Sequence, residues 1–140
     1  MNILILGDVC GNAGVNSVRE RLPNLIIQKK IDFTILNGEN AAENGKGITK
    51  KNTEDFFNAG ADVLTTGNHV WDKKEIIPYI NKSEKLLRPL NLIDGTPGIG
   101  LTILDTELGR VGVANLMTNI FMKSSMPVFD CLKTIIEKLK

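Results

Sequence analysis

Three short apolar runs, each ending beside a glycine and polar residues, constrain this chain more than any other feature. Ile3 to Leu6 ends at Gly7-Asp8, and Phe33 to Leu36 ends at Asn37-Gly38-Glu39-Asn40. Ala61, Val63 and Leu64 lead into Thr65-Thr66-Gly67-Asn68-His69-Val70-Trp71-Asp72. Runs this short and this apolar read as buried strands, and the stretches between them carry helical spacing. The order strand, helix, strand, helix, strand with short joins implies right-handed parallel crossovers, which put all the strand ends on one side of one sheet. Open α/β sheets bind ligands on that side. Asp8, Glu39, Asn40, Asn68 and His69 are thereby delivered to one rim. His69 is the only histidine of the chain, and Trp71 the only tryptophan.

Between and after these runs the periodicity is readable. Val15, Val18, Leu22, Leu25 and Ile26 share one side of a helix that Pro23 should kink or split, and Lys29-Lys30 sit in its last turn. Ile31 to Leu36 is apolar enough to be covered on both faces, as parallel strands are, and the first strand also reads as buried. Asn37 to Gly47 is a loop, Thr49 a cap for the helix through Phe56, Phe57 and Ala59, and Gly60 its end. Asp72-Lys73-Lys74-Glu75 has the form of a variant capping box for a short helix that buries Ile76, Ile77 and Ile80 and is interrupted by Pro78. Leu86 to Pro89 is a short extended segment, and Asp94 to Gly98 a turn cluster. Gly100 to Thr106 and Arg110 to Leu116, joined at Leu108-Gly109, form an antiparallel hairpin. Thr118 to Pro127 has no clean period. Phe129 to Lys140 reads as an amphipathic helix with Leu132, Ile135, Ile136 and Leu139 inward.

With 140 residues, 42% of them apolar, the chain has the size and composition of one domain, residues 1–140, with a packed core. Its 17 basic and 16 acidic residues and pI of 7.7 give no charge excess toward nucleic acid or an anionic membrane. A small phosphorylated ligand needs only a local site and stays open. Cys10 and Cys131 have no metal-ligand spacing and read as plain thiols in a reducing cytoplasm. Met1 to Leu6 lacks the basic flank and length of a signal peptide, and no window reaches the roughly 18 consecutive apolar residues of a membrane span.

The rim has the chemistry of a metal site. Asp8 and Glu39 offer carboxylates and Asn68 an amide, all hard oxygen donors, and a carboxylate has two oxygens with which to bridge cations about 3.5 to 4 Å apart. His69 stands next to a ligand, placed to give a proton to a leaving oxygen or to stabilise charge on a phosphoryl group. The same residues also admit structural roles. Asp8 suits a helix cap or a switch-point acid, Glu39 and Asn40 suit Asx turns, Asn68 a left-handed turn, His69 a satisfied structural position and Trp71 the core.

Four blocks in order carry a resemblance. They are Gly7-Asp8-Val9 with Gly11 and Gly14; Asn37 to Ala42 with Gly45 and Gly47; Gly67 to Asp72; and Leu87-Arg88-Pro89 with Asn91 and Gly95-Thr96-Pro97-Gly98. In order and spacing they resemble the YmdB family of calcineurin-like metallophosphoesterases over nearly all of positions 1 to 117. The resemblance implies an α/β fold, a largely parallel sheet flanked by helices with a C-terminal β-hairpin, as the N-terminal part of a metallophosphoesterase sandwich. It implies a cytoplasmic, often oligomeric phosphodiesterase with a binuclear metal (Mn, Fe or Mg) and a metal-bridged hydroxide that attacks 2',3'-cyclic nucleotides or similar phosphodiesters. Carried over by residue, Asp8 binds one metal, Glu39 bridges both, Asn68 binds the second, and Asn40 is a further ligand or a close neighbour. His69 is the phosphate-facing histidine, with Trp71, Asp72 and Arg88 in support.

The family completes its metal shell with several histidines on later strands and runs well beyond this length, whereas this chain has His69 alone. An incomplete metal site is therefore expected here. Two further outcomes stay open. One is a remnant that binds nucleotide or phosphate without turnover, and the other is a subunit completed by another chain or copy, for which an apolar edge around Gly100 to Leu116 would serve.

Overall fold

The apolar runs pair as their order predicts. The computed structural model describes residues 1–120 and 125–139. Strands β1 (Ile3–Leu6), β2 (Phe33–Asn37), β3 (Val63–Thr65) and β4 (Leu86–Leu87) lie side by side in sequence order, and all pairs are parallel. Strand side chains alternate between the two faces of a sheet. Leu4, Leu6, Leu36, Leu64 and Leu86 take one face, where α1 (Gly11–Lys29), α2 (Lys50–Asn58) and α3 (Ile77–Ile80) cover them with Val15, Val18, Leu22, Phe56 and Ile80. Phe33, Ile35, Val63 and Leu87 take the other. Against these pack Leu104, Val111 and Val113 of the antiparallel hairpin β5 (Leu101–Thr106) and β6 (Gly109–Ala114). On β6, Gly112 faces away from that cluster, and Leu139 of α4 (Val128–Leu139) fills the space its side chain would occupy. The layers are thus helices, parallel sheet, hairpin and helix.

The hairpin covers β2 to β4 and stops short of β1. Ile3 and Ile5 are 46% and 71% exposed, so the first strand is an edge strand with one dry face and is not buried as its composition suggested. Its two faces are equally apolar in sequence, and period-two patterning therefore carries no sign of which one stays uncovered. On the hairpin itself Val111 and Val113 are buried, and the apolar exposure lies at Leu108 in the turn. The wider uncovered surface belongs to β1.

Several local expectations change. Helix α1 is not split by Pro23, which forfeits one backbone bond on the exposed side while Val18 and Leu22 stay buried on the other. It ends at Lys30 in the left-handed conformation, φ 51°, whose N–H caps the carbonyls of Ile26 and Ile27. Thr49 does cap α2. Its hydroxyl accepts from the Asn52 N–H, and the Asn52 side chain accepts in return from the Thr49 N–H, so the reciprocal capping box of the chain is here.

Asp72 caps nothing. The segment forms two short 3₁₀ turns, Asn68–Trp71 and Lys74–Ile76, and Glu75 Oε1 accepts from the Lys50 N–H instead. Pro78 falls in the first turn of α3, where its missing N–H costs no bond, and so it starts that helix. Ile76 and Ile80 are buried, but Ile77 is exposed. In α4, Cys131 and Ile135 are buried, whereas Leu132 and Ile136, expected inward, are exposed, and Leu139, also expected inward, keeps its tip against Gly112 while 40% of it stays exposed. Lys140 and residues 121–124 of the aperiodic stretch lie outside the described residues. Both cysteines are free thiols. No helix among the described residues is long and apolar enough to cross a membrane.

Candidate active site at the strand ends

The backbone holds the polar strand ends together. Beyond the strands proper, Val9 N–H donates to the Asn37 carbonyl at 3.0 Å, Gly38 N–H to Thr65 at 3.0 Å and Thr66 N–H to Leu87 at 3.1 Å. The ladder therefore continues past the last apolar residue of each strand and keeps the rim residues side by side. Gly11 N–H adds a bond to the Asn40 carbonyl at 2.8 Å. The loop after β2 closes through Ala42 N–H on the Gly47 carbonyl, with Gly47 at φ 85°, a conformation that side chains avoid.

The side chains then link across these ends. Asn40 Nδ2 donates to both carboxylate oxygens of Asp8, at 2.9 and 3.0 Å. Glu39 Oε1 accepts from the backbone N–H of His69 at 3.1 Å, while the Glu39 N–H is held by Asn37 Oδ1 at 3.2 Å. His69 Nδ1 lies 2.9 Å from Asp72 Oδ2. An ionised carboxylate only accepts, so Nδ1 carries the proton and Nε2 is the nitrogen left for a ligand. Asn68 is exposed at the first position of the 3₁₀ turn that carries His69.

The supporting positions divide. Trp71 is half-buried against the main core and fixes that turn. Arg88 Nη1 donates to the carbonyls of Pro89 and Leu90, at 2.7 and 3.3 Å, so it braces the chain after β4. Burial pushes its pKa below the ordinary guanidinium value, with Asp94 opposing, and it stays charged throughout the accessible range.

Some residues of the site carry no sequence signal of their role. Asn115 is buried, and its amide donates to the carbonyls of Thr66 at 2.8 Å and Leu87 at 3.1 Å, tying the hairpin to the rim. Asn91, fully buried, clamps the tail by donating to Met117 and Met126. For Asn115 the hint was a polar amide inside an apolar stretch, and Asn91 stands in the fourth of the blocks that carry the resemblance.

The rim suits a divalent cation in donor type. Asp8 and Glu39 bring carboxylates, Asn68 an amide oxygen, and Gly67 leaves open the space that the Glu39 carboxylate occupies. In number the set is short. Among the described residues no three His, Cys, Asp or Glu side chains come together as a metal site. An open groove of about 800 Å³ between α2 and α3, flanked by Lys50, Glu54, Glu75 and Tyr79, includes none of the rim residues.

The sequence pattern of the YmdB-like proteins matches residues 4–140. The chain belongs to this family. A relative from Bacillus subtilis (strain 168), named 2',3'-cyclic-nucleotide 2'-phosphodiesterase, is 45% identical over 122 residues, which make up 87% of this chain and 46% of that protein. A crystal structure described as a hypothetical protein from Thermus thermophilus superposes with a TM-score of 0.91 at 36% identity, covering 100% of this chain and 54% of that one. A second, described as a novel phosphatase from Mycoplasma pneumoniae, gives 0.88 at 30% identity over 99% of this chain and 51% of the other. The chain spans about half the length of the curated relatives it matches, 46% and 51%.

Proposed function

We propose that the chain carries the N-terminal part of the active site of a metal-dependent phosphodiesterase acting on a small phosphodiester such as a 2',3'-cyclic nucleotide. The observation that carries this reading is the linked rim. Asn40 on Asp8 is one contact group, Glu39 on the His69 N–H with His69 on Asp72 is a second, and the consecutive residues Glu39 and Asn40 join the two through the backbone. The names of the Bacillus relative and the Mycoplasma structure support phosphoester chemistry, and the former supports the substrate class. Asp8, Glu39 and Asn68 would hold a divalent cation, Mn, Fe or Mg, with Asn40 as a further ligand or as the residue that orients Asp8.

Such a cation, when bound, supplies Lewis-acid charge beside the phosphorus. His69, with Nδ1 engaged by Asp72, offers Nε2 to the leaving oxygen or to a phosphoryl oxygen. Trp71 anchors the turn that presents it. The test is manganese-supplemented hydrolysis of bis-para-nitrophenyl phosphate and of a 2',3'-cyclic nucleotide by the wild type, His69→Ala and Asp8→Ala. Loss of a general acid lowers the rate by about 10²-fold or more. Equal background rates in all three proteins end the catalytic reading.

A second reading is favoured by the uncovered Ile3 and Ile5 together with the short donor set. In it the chain binds nucleotide or phosphate without turnover until a polypeptide equivalent to the half that the relatives have in addition joins at β1. A second copy of this chain would contribute only another His69. Metal content per chain and mass in solution separate the readings. A monomer that takes up cation and turns over substrate supports the first, and a metal-poor, inactive chain supports the second.

A further inference from the structure

We propose that Gly67 is the positioning residue for the Glu39 carboxylate, acting by leaving empty the one volume in which that carboxylate meets the His69 backbone N–H. The geometry is independent of any cation; its functional consequence rests on the reading of Glu39 as a ligand given above. A Cβ built on Gly67 would fall inside the carboxylate, too close to Oε2 and Cδ for any non-bonded contact and 2.6 Å from Oε1. The Glu39 head group therefore lies directly against the Gly67 backbone. One bond holds it there, Oε1 on the His69 N–H two residues beyond Gly67, while the Glu39 backbone is fixed separately by its N–H on Asn37 Oδ1.

The requirement at this position is for room. Gly67 has φ −151°, outside the left-handed region that calls for glycine. Of the chain's 13 glycines, Gly67 alone has carboxylate oxygens in the space a Cβ would take. Gly38 faces Ile48 and Phe56 and is a packing glycine, while Gly47 faces Lys73 and Asp72 and has a positive φ. A glutamate has three rotatable side-chain bonds, and one N–H acceptor bond does not select a single rotamer unless the alternatives are sterically or energetically worse. The slot beside Gly67 makes the held rotamer available. Any larger residue evicts the carboxylate, and the His69 amide and the rim lose the same group together.

The experiment is a double-mutant cycle on the full chain with Gly67→Ala, Glu39→Ala and the pair, read by thermal melting and by ¹⁵N-resolved exchange of the His69 amide. Gly67→Ala alone is expected to lower the melting temperature and to speed His69 amide exchange at least ~10-fold, as loss of an acceptor does. In the Glu39→Ala background the space is vacant, so Gly67→Ala should then change little, and the pair melts like Glu39→Ala alone. If Gly67→Ala does not fold alone, recovery of folding in the pair still reports the coupling. Gly38→Ala serves as the packing control, lowering the melting temperature with or without Glu39. Additive effects, or a His69 amide whose exchange is unchanged in folded Gly67→Ala, overturn the proposal. Manganese titration runs alongside. A wild type that binds no manganese while the cycle is coupled overturns the cation reading and leaves the positioning role in place.

Discussion

The Asp72 carboxylate meets His69 Nδ1 at 2.9 Å across one 3₁₀ turn and leaves the following helix start uncapped. The pair is on the surface, with the side chains 31% and 41% exposed, so its value lies in orienting the ring and fixing its tautomer more than in stability. Asp72→Ala should leave the fold intact and shift the His69 ring ¹⁵N signals away from the Nδ1–H tautomer, and under the proposed function it lowers hydrolysis by about 10- to 100-fold. Unchanged ring signals would show that the bond does not form in solution.

Asn40 holds both oxygens of Asp8 from the other side of the rim. Asn40→Ala frees that carboxylate to rotate on an exposed surface. Under the proposed cation reading, manganese affinity measured by titration calorimetry should fall about 10-fold, while urea stability changes by less than about 1 kcal/mol.

Asn115 is a different kind of amide, buried and donating to two carbonyls at the ends of β3 and β4. Asn115→Ala takes the donor from the Thr66 carbonyl and opens a cavity, while the Leu87 carbonyl keeps the Thr66 N–H and hydroxyl. Urea unfolding should show a loss of about 2 to 3 kcal/mol, well above that of Asn40→Ala.

On the sheet, neighbouring positions should behave oppositely. Leu36 is fully buried in the main core, and Leu36→Ala should cost about 2 to 5 kcal/mol. Ile5 is 71% exposed, and Ile5→Lys should stay within about 0.5 kcal/mol of wild type while raising solubility. A large loss for Ile5→Lys would mean that this face is covered in solution, which mass measurement would then reveal.

Tyr79, the single tyrosine, has its phenol pKa raised above 10.0, first by burial and then by Glu54, with Lys50 opposing. A folded pKa above the unfolded one favours the neutral phenol. Its contribution is complete below the unfolded value and is lost as pH rises through the folded one. Phenolate absorbance should therefore titrate at higher pH in the folded chain than in urea, and Tyr79→Phe should lessen the alkaline loss of stability.

The parallel sheet and its rim were legible because each apolar run stops abruptly at charged or amide side chains, and crossover handedness does the rest. Thr49 was legible as a cap for a similar reason, since its partner is three residues on. Asp72 was not, because spacing of three serves a helix cap and a 3₁₀ turn alike, and here the imidazole took the carboxylate. Exposure of Ile5 was hidden by a strand apolar on both faces. Leu132 and Ile136 were misplaced because helical spacing reports a stripe without reporting how broad a surface awaits it. Gly67 marked only the end of an apolar run, and nothing in a linear string says which distant side chain a missing Cβ makes way for.

The amide of Asn115 has a mechanical side. It grips the Thr66 carbonyl, one peptide ahead of Gly67, while the rest of the residue belongs to the end of the hairpin. The hairpin end and the turn that bears the imidazole are therefore one side chain apart. The far layer of this fold thus meets the rim through a removable polar grip as well as through the apolar packing of Leu104, Val111 and Val113 on the sheet.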